Sequence, residues 1–286
     1  MTSFSQILNN HPSASWDSAK LNLEAYLQRI DYQGSLAPTI ATLRALTLTH
    51  LDAISFENLD IIAGESIDID LLRVQKKLLG QGRGGYCHEH NTLFAAVLER
   101  LGFAVQGRSA RILMGTSEQE MTAVGHTLLN VQLNGSDWLV DVGVGNVGPR
   151  EPIELKAWNQ VTQAAWRYRL DRVARHWVLR YWREDGWFNI YQFSDEPYYR
   201  DDYAHHNYYV STHPASPFTQ QLVAQYNGAT VRYALTGLRL KTFLPEQPVQ
   251  ERLITVEELP EILRSLFRLQ IDEVLAEKLM NAVRLK

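Results

Sequence analysis

The sequence predicts an α+β protein with a helical first third, an antiparallel β-sheet or small barrel in the middle, and a mixed final third. Three observations support this fold class. Apolar residues recur at helical spacing through the first third of the chain. After Gly102 the pattern changes to alternation among β-branched and aromatic residues, which is typical of strands. From about Tyr203 onward, short strand patterns precede a helical tail.

The composition limits the class of protein. A chain of 286 residues that is 45% hydrophobic can bury a large core, and we expect two or three compact units. The net charge is −4 and the charges are scattered, which argues against nucleic acid and membrane surfaces as partners. A single cysteine excludes an internal disulfide framework. The start of the sequence lacks a basic region followed by an apolar run, and no apolar stretch reaches spanning length, so we expect a cytoplasmic protein.

The first third contains three helix patterns with recognisable starts or stops. They are a helix capped by Ser15 and running to Ile30, a helix opened by Pro38-Thr39, and a helix from about Asp70 to Leu79 that Gly80 stops.

A short mixed stretch, 54–60, separates two of these helices. Its polar pair Glu57-Asn58 is flanked by Phe56 and Leu59. This pattern favours a loop pinned onto the core with its polar groups satisfied inside. The alternative is an exposed acidic loop.

The only cysteine, Cys87, lies in residues 81–87, a segment with three glycines that we call the glycine turn. From Asn91 the apolar spacing is helical as far as Gly102, so Cys87 is predicted at the first turn of a buried helix. The positive end of a helix favours an anion such as a thiolate. The alternative is a buried structural thiol, because free cysteine is among the most buried residue types.

The middle third is predicted to consist of short strands joined by tight turns. The strands are 103–114, 127–133, 138–144, 166–170, 177–182 and 187–193. Asn134-Gly135 is the strongest hairpin signal, and Glu184-Asp185-Gly186 is a second. These features predict an antiparallel sheet or small barrel.

The Asn134-Gly135 hairpin also predicts which side chains meet. If these two residues form the whole turn, Leu128 lies opposite Asp141, and His126 shares a face with both. The imidazole and the carboxylate then become diagonal neighbours, roughly 7 Å or less apart between Cβ atoms. A slip of one residue would place them on opposite faces.

A thiol at a helix start, a histidine at a strand start and an aspartate across a hairpin predict a Cys87, His126, Asp141 catalytic triad. The histidines that compete with His126 are His88, His90, His205 and His206. A metal site is disfavoured, because the spacing of Cys87, His88 and His90 matches no structural zinc pattern.

The final third is predicted to be mixed. Residues 211–218 form an irregular polar loop with two prolines. Residues 231–235 and 238–243 read as a strand pair around Thr236-Gly237. A capping box from Thr255 to Glu258 opens the helical tail.

Five segments in order carry a resemblance to the arylamine N-acetyltransferases. They are Phe56-Glu57-Asn58-Leu59, then Arg83-Gly84-Gly85-Tyr86-Cys87 with Glu89 and Asn91, then His126, then Asp141-Val142-Gly143-Val144-Gly145, then Ser211-Thr212 to Phe218. Together they span most of the chain. The resemblance implies a helical bundle, a central antiparallel β-barrel and a C-terminal α/β lid, with a triad cleft similar to that of papain-like cysteine enzymes. We place these parts at 1–101, 102–203 and 204–286.

The resemblance also implies a ping-pong reaction. Cys87 would take an acetyl group from acetyl-CoA as a thioester, and an arylamine, hydrazine or N-hydroxyarylamine would then attack it with His126 as base. Acetyl-CoA is thus the expected cosubstrate, an aromatic amine the expected partner, and no metal is expected.

Motif matching implies further roles. Arg83 is expected to pair with Glu57. The candidates for coenzyme contact are Thr122, Tyr209, Thr212 and Ser216, and those for substrate contact are Phe56, Val144 and Gly125.

The sequence departs from the family pattern at four positions. Val144 stands where Phe is frequent, which predicts a wider acceptor pocket and a shifted amine preference. His88 replaces a large apolar residue, and His90 replaces Gln or a similar residue. Asn146 interrupts the usual glycines.

Two other enzyme classes would share the triad. A papain-like or transglutaminase-like hydrolase would resolve the intermediate with water. An amide synthase on the same fold would take no coenzyme. A non-enzymatic binding module would have no use for the triad.

Overall fold

The computed structural model describes residues 15–285, and this part of the chain folds as an α+β protein. The α-helices are α1 (Leu23–Arg29), α2 (Ile40–Ala53), α3 (Leu59–Ile62), α4 (Leu71–Gln75), α5 (Cys87–Arg100), α6 (Arg200–Thr212), α7 (Pro217–Gln220), α8 (Leu259–Ser265) and α9 (Glu273–Arg284). The strands are β1 (Phe56–Glu57), β2 (Ala104–Ile112), β3 (Val124–Leu133), β4 (Ser136–Val140), β5 (Ile153–Glu154), β6 (Asn159–Gln163), β7 (Trp166–Val173), β8 (His176–Arg183), β9 (Gly186–Phe193), β10 (Val223–Asn227), β11 (Arg232–Thr236), β12 (Arg239–Phe243) and β13 (Gln250–Leu253).

The middle of the chain forms an eight-stranded antiparallel sheet in the order β5-β4-β3-β2-β9-β8-β7-β6. The two edges approach each other, because Asn159 Nδ2 donates to Glu154 O at 2.9 Å and Gln163 Nε2 donates to Glu151 O at 2.8 Å. The sheet is therefore a nearly closed barrel, as the alternating pattern predicted.

The final third contributes a five-stranded antiparallel sheet in the order β1-β10-β11-β12-β13. Its first strand comes from the first third of the chain, and Phe56 lies opposite Gln225. In the loop that carries β1, Glu57 and Asn58 are buried. The prediction of a pinned loop with internal polar groups is confirmed, and the alternative of an exposed acidic loop is wrong.

The helical predictions for the first third are correct in place but not in detail. The single helix from Ser15 to Ile30 is wrong: a 3₁₀ turn, Ser18–Lys20, precedes α1, and Asn22 Oδ1 starts α1 by accepting from Ala25 N at 3.0 Å. The predicted helix from about Asp70 begins as α4, which Asp70 caps, but it widens into a π turn over Lys76–Gly80.

The predicted polar loop at 211–218 is confirmed only for residues 213–216, because helices take up both of its ends. Ser211 and Thr212 end α6, and Pro217 begins α7. Helix α6 starts with a cap in which Tyr199 N donates to Asp202 Oδ2 at 2.9 Å. Its sequence mixes tyrosines, histidines and polar residues, so an apolar stripe does not reveal it.

Four clusters of buried apolar residues hold these layers together. One lies among α1, α2, α4 and α5, one fills the barrel, and one joins the C-terminal sheet to α8 and α9. The smallest surrounds the candidate nucleophile and contains Phe56, Ile67, Tyr86, Cys87 and Val223. Each fully buried Leu or Phe side chain stabilises the fold by about 1.5–3 kcal/mol. None of the helices within residues 15–285 combines the length and the apolar character of a membrane-spanning segment.

Candidate active site

The glycine turn is fixed against β1 by backbone contacts. Glu57 N donates to Gly85 O at 2.7 Å. A Cβ atom on Gly84 would lie 2.1 Å from Ser55 O, so a side chain at this position would push the two segments apart. The glycines therefore allow the turn to lie directly on the strand.

A buried ion network holds the turn from its other side. Arg83 Nη2 lies 2.8 Å from both Glu57 Oε1 and Asp60 Oδ1. Burial opposes the charge of Arg83, but the two carboxylates outweigh it and raise the pKa of Arg83. Lys77 Nζ continues the network, at 2.8 Å from both Asp60 and Glu89. This arrangement connects Arg83 to Glu57, the contact that motif matching implied.

Cys87 is the first residue of α5 and is 4% exposed. Glu89 Oε2 accepts from Tyr86 N at 3.0 Å, which caps the helix start. The unpaired N–H groups of the first turn place the positive end of the helix beside Cys87. The predicted placement of the cysteine at a helix start is confirmed.

The turn after β4 packs against the start of α5. A Cβ atom on Gly143 would lie 2.7 Å from Cys87 Cα and 2.6 Å from Asn91 Nδ2. Only glycine allows this approach, which brings the segment after Asp141 next to the thiol.

The predicted hairpin register is confirmed. Leu133 lies opposite Ser136, and Leu129 lies opposite Val140. This register brings His126 Nε2 to 2.7 Å from Asp141 Oδ2. The predicted strand 138–144 is too long, because β4 ends at Val140. The chain turns after this strand, where Gly143 N donates a hydrogen bond to Asp141 Oδ1 at 2.9 Å.

The ionisation of His126 reflects two opposing effects. Burial disfavours the imidazolium, but the Asp141 carboxylate and then Cys87 favour it more strongly, and together they raise the pKa of His126 to about 10. Because Nε2 faces Asp141, Nδ1 is the ring nitrogen left for the sulfur of Cys87. At neutral pH the arrangement therefore places a protonated imidazole beside the sulfur of Cys87.

Asn91 is a site residue to which sequence reasoning gave no role. Its Nδ2 atom donates to Asp141 Oδ1 at 3.1 Å and to Thr127 O at 2.6 Å, and its Oδ1 atom accepts from Val142 N at 3.3 Å. Asn91 follows Cys87 by four residues, so both side chains lie on the same face of α5. This spacing was the signal that could have identified it.

Tyr191, on β9, is a second site residue that the sequence did not indicate. Its ring centroid lies 5.2 Å from that of His126. Burial and then the nearby Asp141 carboxylate raise the pKa of Tyr191 well above its usual value. The contact depends on β9 lying beside β2, which local sequence does not specify.

The rival histidines beside Cys87 are bonded to other groups. His88 Nδ1 lies 2.6 Å from Thr127 Oγ1, and His90 Nδ1 lies 2.9 Å from His50 Nε2. Burial lowers the pKa of His88 to about 3 and that of His90 to about 4. Both rings are therefore neutral at neutral pH. The Asp141 carboxylate, which forms the triad contact, is hydrogen-bonded to His126.

The candidate substrate residues fall in different places. The Phe56 and Tyr86 rings each lie 5.8 Å from the Phe218 ring, inside the cluster that contains Cys87. Gly125 directly precedes His126 and faces Val210 on α6. Val144 is buried with the barrel cluster instead, although it follows the Gly143 contact by one residue.

The candidate coenzyme residues lie on two segments. Thr122 Oγ1 donates to Ile112 O at 3.0 Å. Thr212 Oγ1 and Ser216 Oγ donate to the carbonyls of Tyr208 and Val210, each at 2.5 Å. Tyr209 is half exposed and stacks on His213 with 4.5 Å between ring centroids. The three hydroxyl protons are therefore already engaged within the chain.

Within the described part of the chain, neither a metal site nor the cleft beside Arg83 involves the triad. Among the described residues, no group of three or more His, Cys, Asp or Glu side chains is arranged to bind a metal ion. A cleft of about 960 Å³ is lined by Asp60, Arg83, Arg268 and their neighbours, but not by the triad.

Comparisons with known proteins identify the family to which this chain is similar. The N-acetyltransferase family profile matches residues 39–276. An arylamine N-acetyltransferase from Mycolicibacterium smegmatis is 37% identical over 77% of this chain and 82% of that protein. The arylamine N-acetyltransferase of Escherichia coli is 31% identical over 88% of this chain and 90% of its own.

Solved structures give the same result at the level of the fold. The Nocardia farcinica arylamine N-acetyltransferase superposes with a TM-score of 0.89 and 39% identity, over 95% of this chain and 97% of that one. The Mycobacterium marinum enzyme in complex with CoA superposes with a TM-score of 0.86 and 31% identity, over 92% and 98%. The fold and sequence define an acyltransferase, and the chain belongs to the arylamine N-acetyltransferase family.

Proposed function

We propose that this enzyme transfers the acetyl group of acetyl-CoA to an arylamine, hydrazine or N-hydroxyarylamine through a thioester on Cys87. The observation that carries the proposal is the 2.7 Å contact between His126 and Asp141, with Cys87 as the other partner of the same ring. The Mycobacterium marinum relative in complex with CoA supports the choice of coenzyme.

In the first half-reaction, the Cys87 thiolate attacks the thioester carbonyl of acetyl-CoA. The tetrahedral intermediate collapses and breaks the bond to the coenzyme sulfur, which takes the proton of the His126 imidazolium. The products are acetyl-Cys87, free CoA and a neutral imidazole. A thioester replaces a thioester, so this step is close to reversible exchange.

In the second half-reaction, the acceptor amine attacks acetyl-Cys87 and passes a proton to neutral His126. The Cys87 thiolate leaves, the amide is released, and the ion pair is restored. An aromatic amine is largely unprotonated at neutral pH, so its lone pair is available. Amide formation makes the overall reaction favourable.

The remaining roles follow the family motifs. We assign acceptor contact to Phe56, Gly125 and Val144. What supports Phe56 is its ring in the cluster around Cys87. We assign coenzyme contact to Thr122, Tyr209, Thr212 and Ser216. Their internal hydrogen bonds mean that the hydroxyls would accept from the coenzyme or rotate to donate to it.

Initial-rate kinetics test the proposal. Varying acetyl-CoA at several fixed concentrations of an arylamine should give parallel double-reciprocal lines, and Cys87→Ser should be inactive. Release of CoA at the same rate without any amine would identify a hydrolase. Amide formation that needs no acetyl-CoA would identify an amide synthase.

A further inference from the structure

Four buried groups form an unbroken chain of hydrogen bonds beneath the site. Tyr26 Oη lies 3.0 Å from His50 Nδ1, His50 Nε2 lies 2.9 Å from His90 Nδ1, and His90 Nε2 lies 3.2 Å from Ser55 O. All four residues are at most 3% exposed. The chain links α1, α2 and α5 to the residue that precedes β1.

The Ser55 carbonyl, at the end of this series of hydrogen bonds, determines the position of every proton in the series. The Ser55 carbonyl can only accept, so His90 carries its proton on Nε2 and accepts at Nδ1. His50 must then donate from Nε2 and accept at Nδ1 from the Tyr26 hydroxyl. Burial keeps both rings neutral, since it lowers the pKa of His90 to about 4 and that of His50 well below its usual value.

The Ser55 carbonyl lies between the helix that carries Cys87 and the strand that carries Phe56. It also accepts from Gly85 N at 3.4 Å, which is a long bond. His90 belongs to the first turn of α5, as Cys87 does. The imidazole of His90 is therefore a side-chain connection between the first turn of α5 and the residue before Phe56, in addition to the 2.7 Å backbone bond from Glu57 N to Gly85 O on the other side of Phe56.

The triad does not depend on this connection. Asp141 is held by Asn91 and by Gly143 N, and His126 is held by Asp141. Loss of the bond between His90 and Ser55 would loosen the residue before Phe56 on the side that faces α5, while β1 stays paired with β10 and the triad contacts stay in place.

We propose that His90, oriented by His50, is a positioning residue that fixes Phe56 relative to Cys87 for the acceptor half-reaction. This inference rests on the proposed function, because it takes Phe56 as an acceptor contact. Glutamine can replace His90 in this role, since its amide offers one donor for Ser55 O and one acceptor for His50. Leucine offers neither.

The test compares His90→Leu and His90→Gln with wild type, and uses His176→Leu, in the turn-proximal part of β8, as a matched control. In single-turnover experiments, acetylation of Cys87 by acetyl-CoA should be nearly unchanged in all variants. Loss of one buried hydrogen bond in His90→Leu should raise the KM for aniline about five- to tenfold, with His90→Gln close to wild type.

Nitrogen NMR of wild-type protein gives a second readout that does not need a variant to fold. His50 and His90 should both appear as neutral rings protonated on Nε2. Protonation of either ring on Nδ1 would overturn the inference. An unchanged KM for aniline in folded His90→Leu would also overturn it. So would an equal loss of both half-reactions that His90→Gln does not rescue. A wild type that acetyl-CoA does not acetylate would instead refute the proposed function.

Discussion

His126 Nε2 lies 2.7 Å from Asp141 Oδ2, and both side chains are buried. The contact exists because the two-residue turn at Asn134-Gly135 places Leu129 opposite Val140, which brings the start of β3 next to the residue after β4. It orients the imidazole so that Nδ1 remains for Cys87. This pair therefore sets the orientation and the charge of the ring that faces the candidate nucleophile.

Replacing Asp141 by Asn should leave the fold intact and greatly slow the reaction of Cys87 with iodoacetamide at neutral pH. The amide keeps the size of the carboxylate but loses its charge, so the imidazolium is no longer stabilised. By analogy with other triads, the rate should fall by about two to four orders of magnitude. Asp137→Asn, also on this hairpin, is the control, and equal alkylation rates in the two variants would remove Asp141 from the mechanism.

The raised pKa of His126 predicts how stability responds to alkaline pH. The folded state binds the proton more tightly than the unfolded state, whose pKa is near 6.5. The stabilisation is therefore complete below pH 6.5 and is lost as pH rises through about 10, with a slope of up to about 1.4 kcal/mol per pH unit. Urea unfolding of wild type and His126→Gln measures this, and the same slope in both would contradict the assignment.

The buried neutral histidines predict the opposite response in acid. Burial lowers the pKa values of His88 and His90 to about 3 and 4, so the unfolded state takes up protons first as the pH falls below 6.5. The free energy of unfolding should decrease from about pH 6.5 toward pH 4, by up to about 1.4 kcal/mol per pH unit for each ring. His90→Gln should have a shallower slope in denaturant titrations, and an unaltered slope would mean that His90 is not neutral in the folded protein.

Removing the charge of Arg83 should destabilise the protein strongly. In Arg83→Gln the buried Glu57 carboxylate loses its closest cation, at a cost of about 3–5 kcal/mol. Arg172→Gln is the matched control, because its partner Asp195 is largely exposed and such a pair contributes about 1 kcal/mol or less. Chemical denaturation of both variants tests this, and a similar small loss in each would show that the buried network is not needed.

The elements that the sequence predicted well are those fixed by local chemistry. The Asn134-Gly135 turn determined the register that joins His126 to Asp141, and the apolar spacing after Asn91 predicted that Cys87 lies at the start of a helix. A role for Asn91 at the site could also have been predicted from the sequence, because helical spacing places Asn91 on the same face of α5 as Cys87.

The features that the sequence did not predict depend on contacts between distant segments. The two-residue strand β1 exists only because β10 lies beside it. The Tyr191 ring reaches His126 through the order of strands in the barrel, and the bond between His50 and His90 joins two helices. Helix α6 was not predicted because its sequence has no apolar stripe.

The central claim is that Cys87 carries the acetyl group between the two substrates. Intact mass spectrometry after brief exposure to acetyl-CoA tests this claim most directly. We expect wild type to gain one acetyl group that maps to Cys87, that aniline removes, and that Cys87→Ala never acquires. No gain in the wild type, or an acetyl group on another residue that amine does not discharge, would contradict the claim.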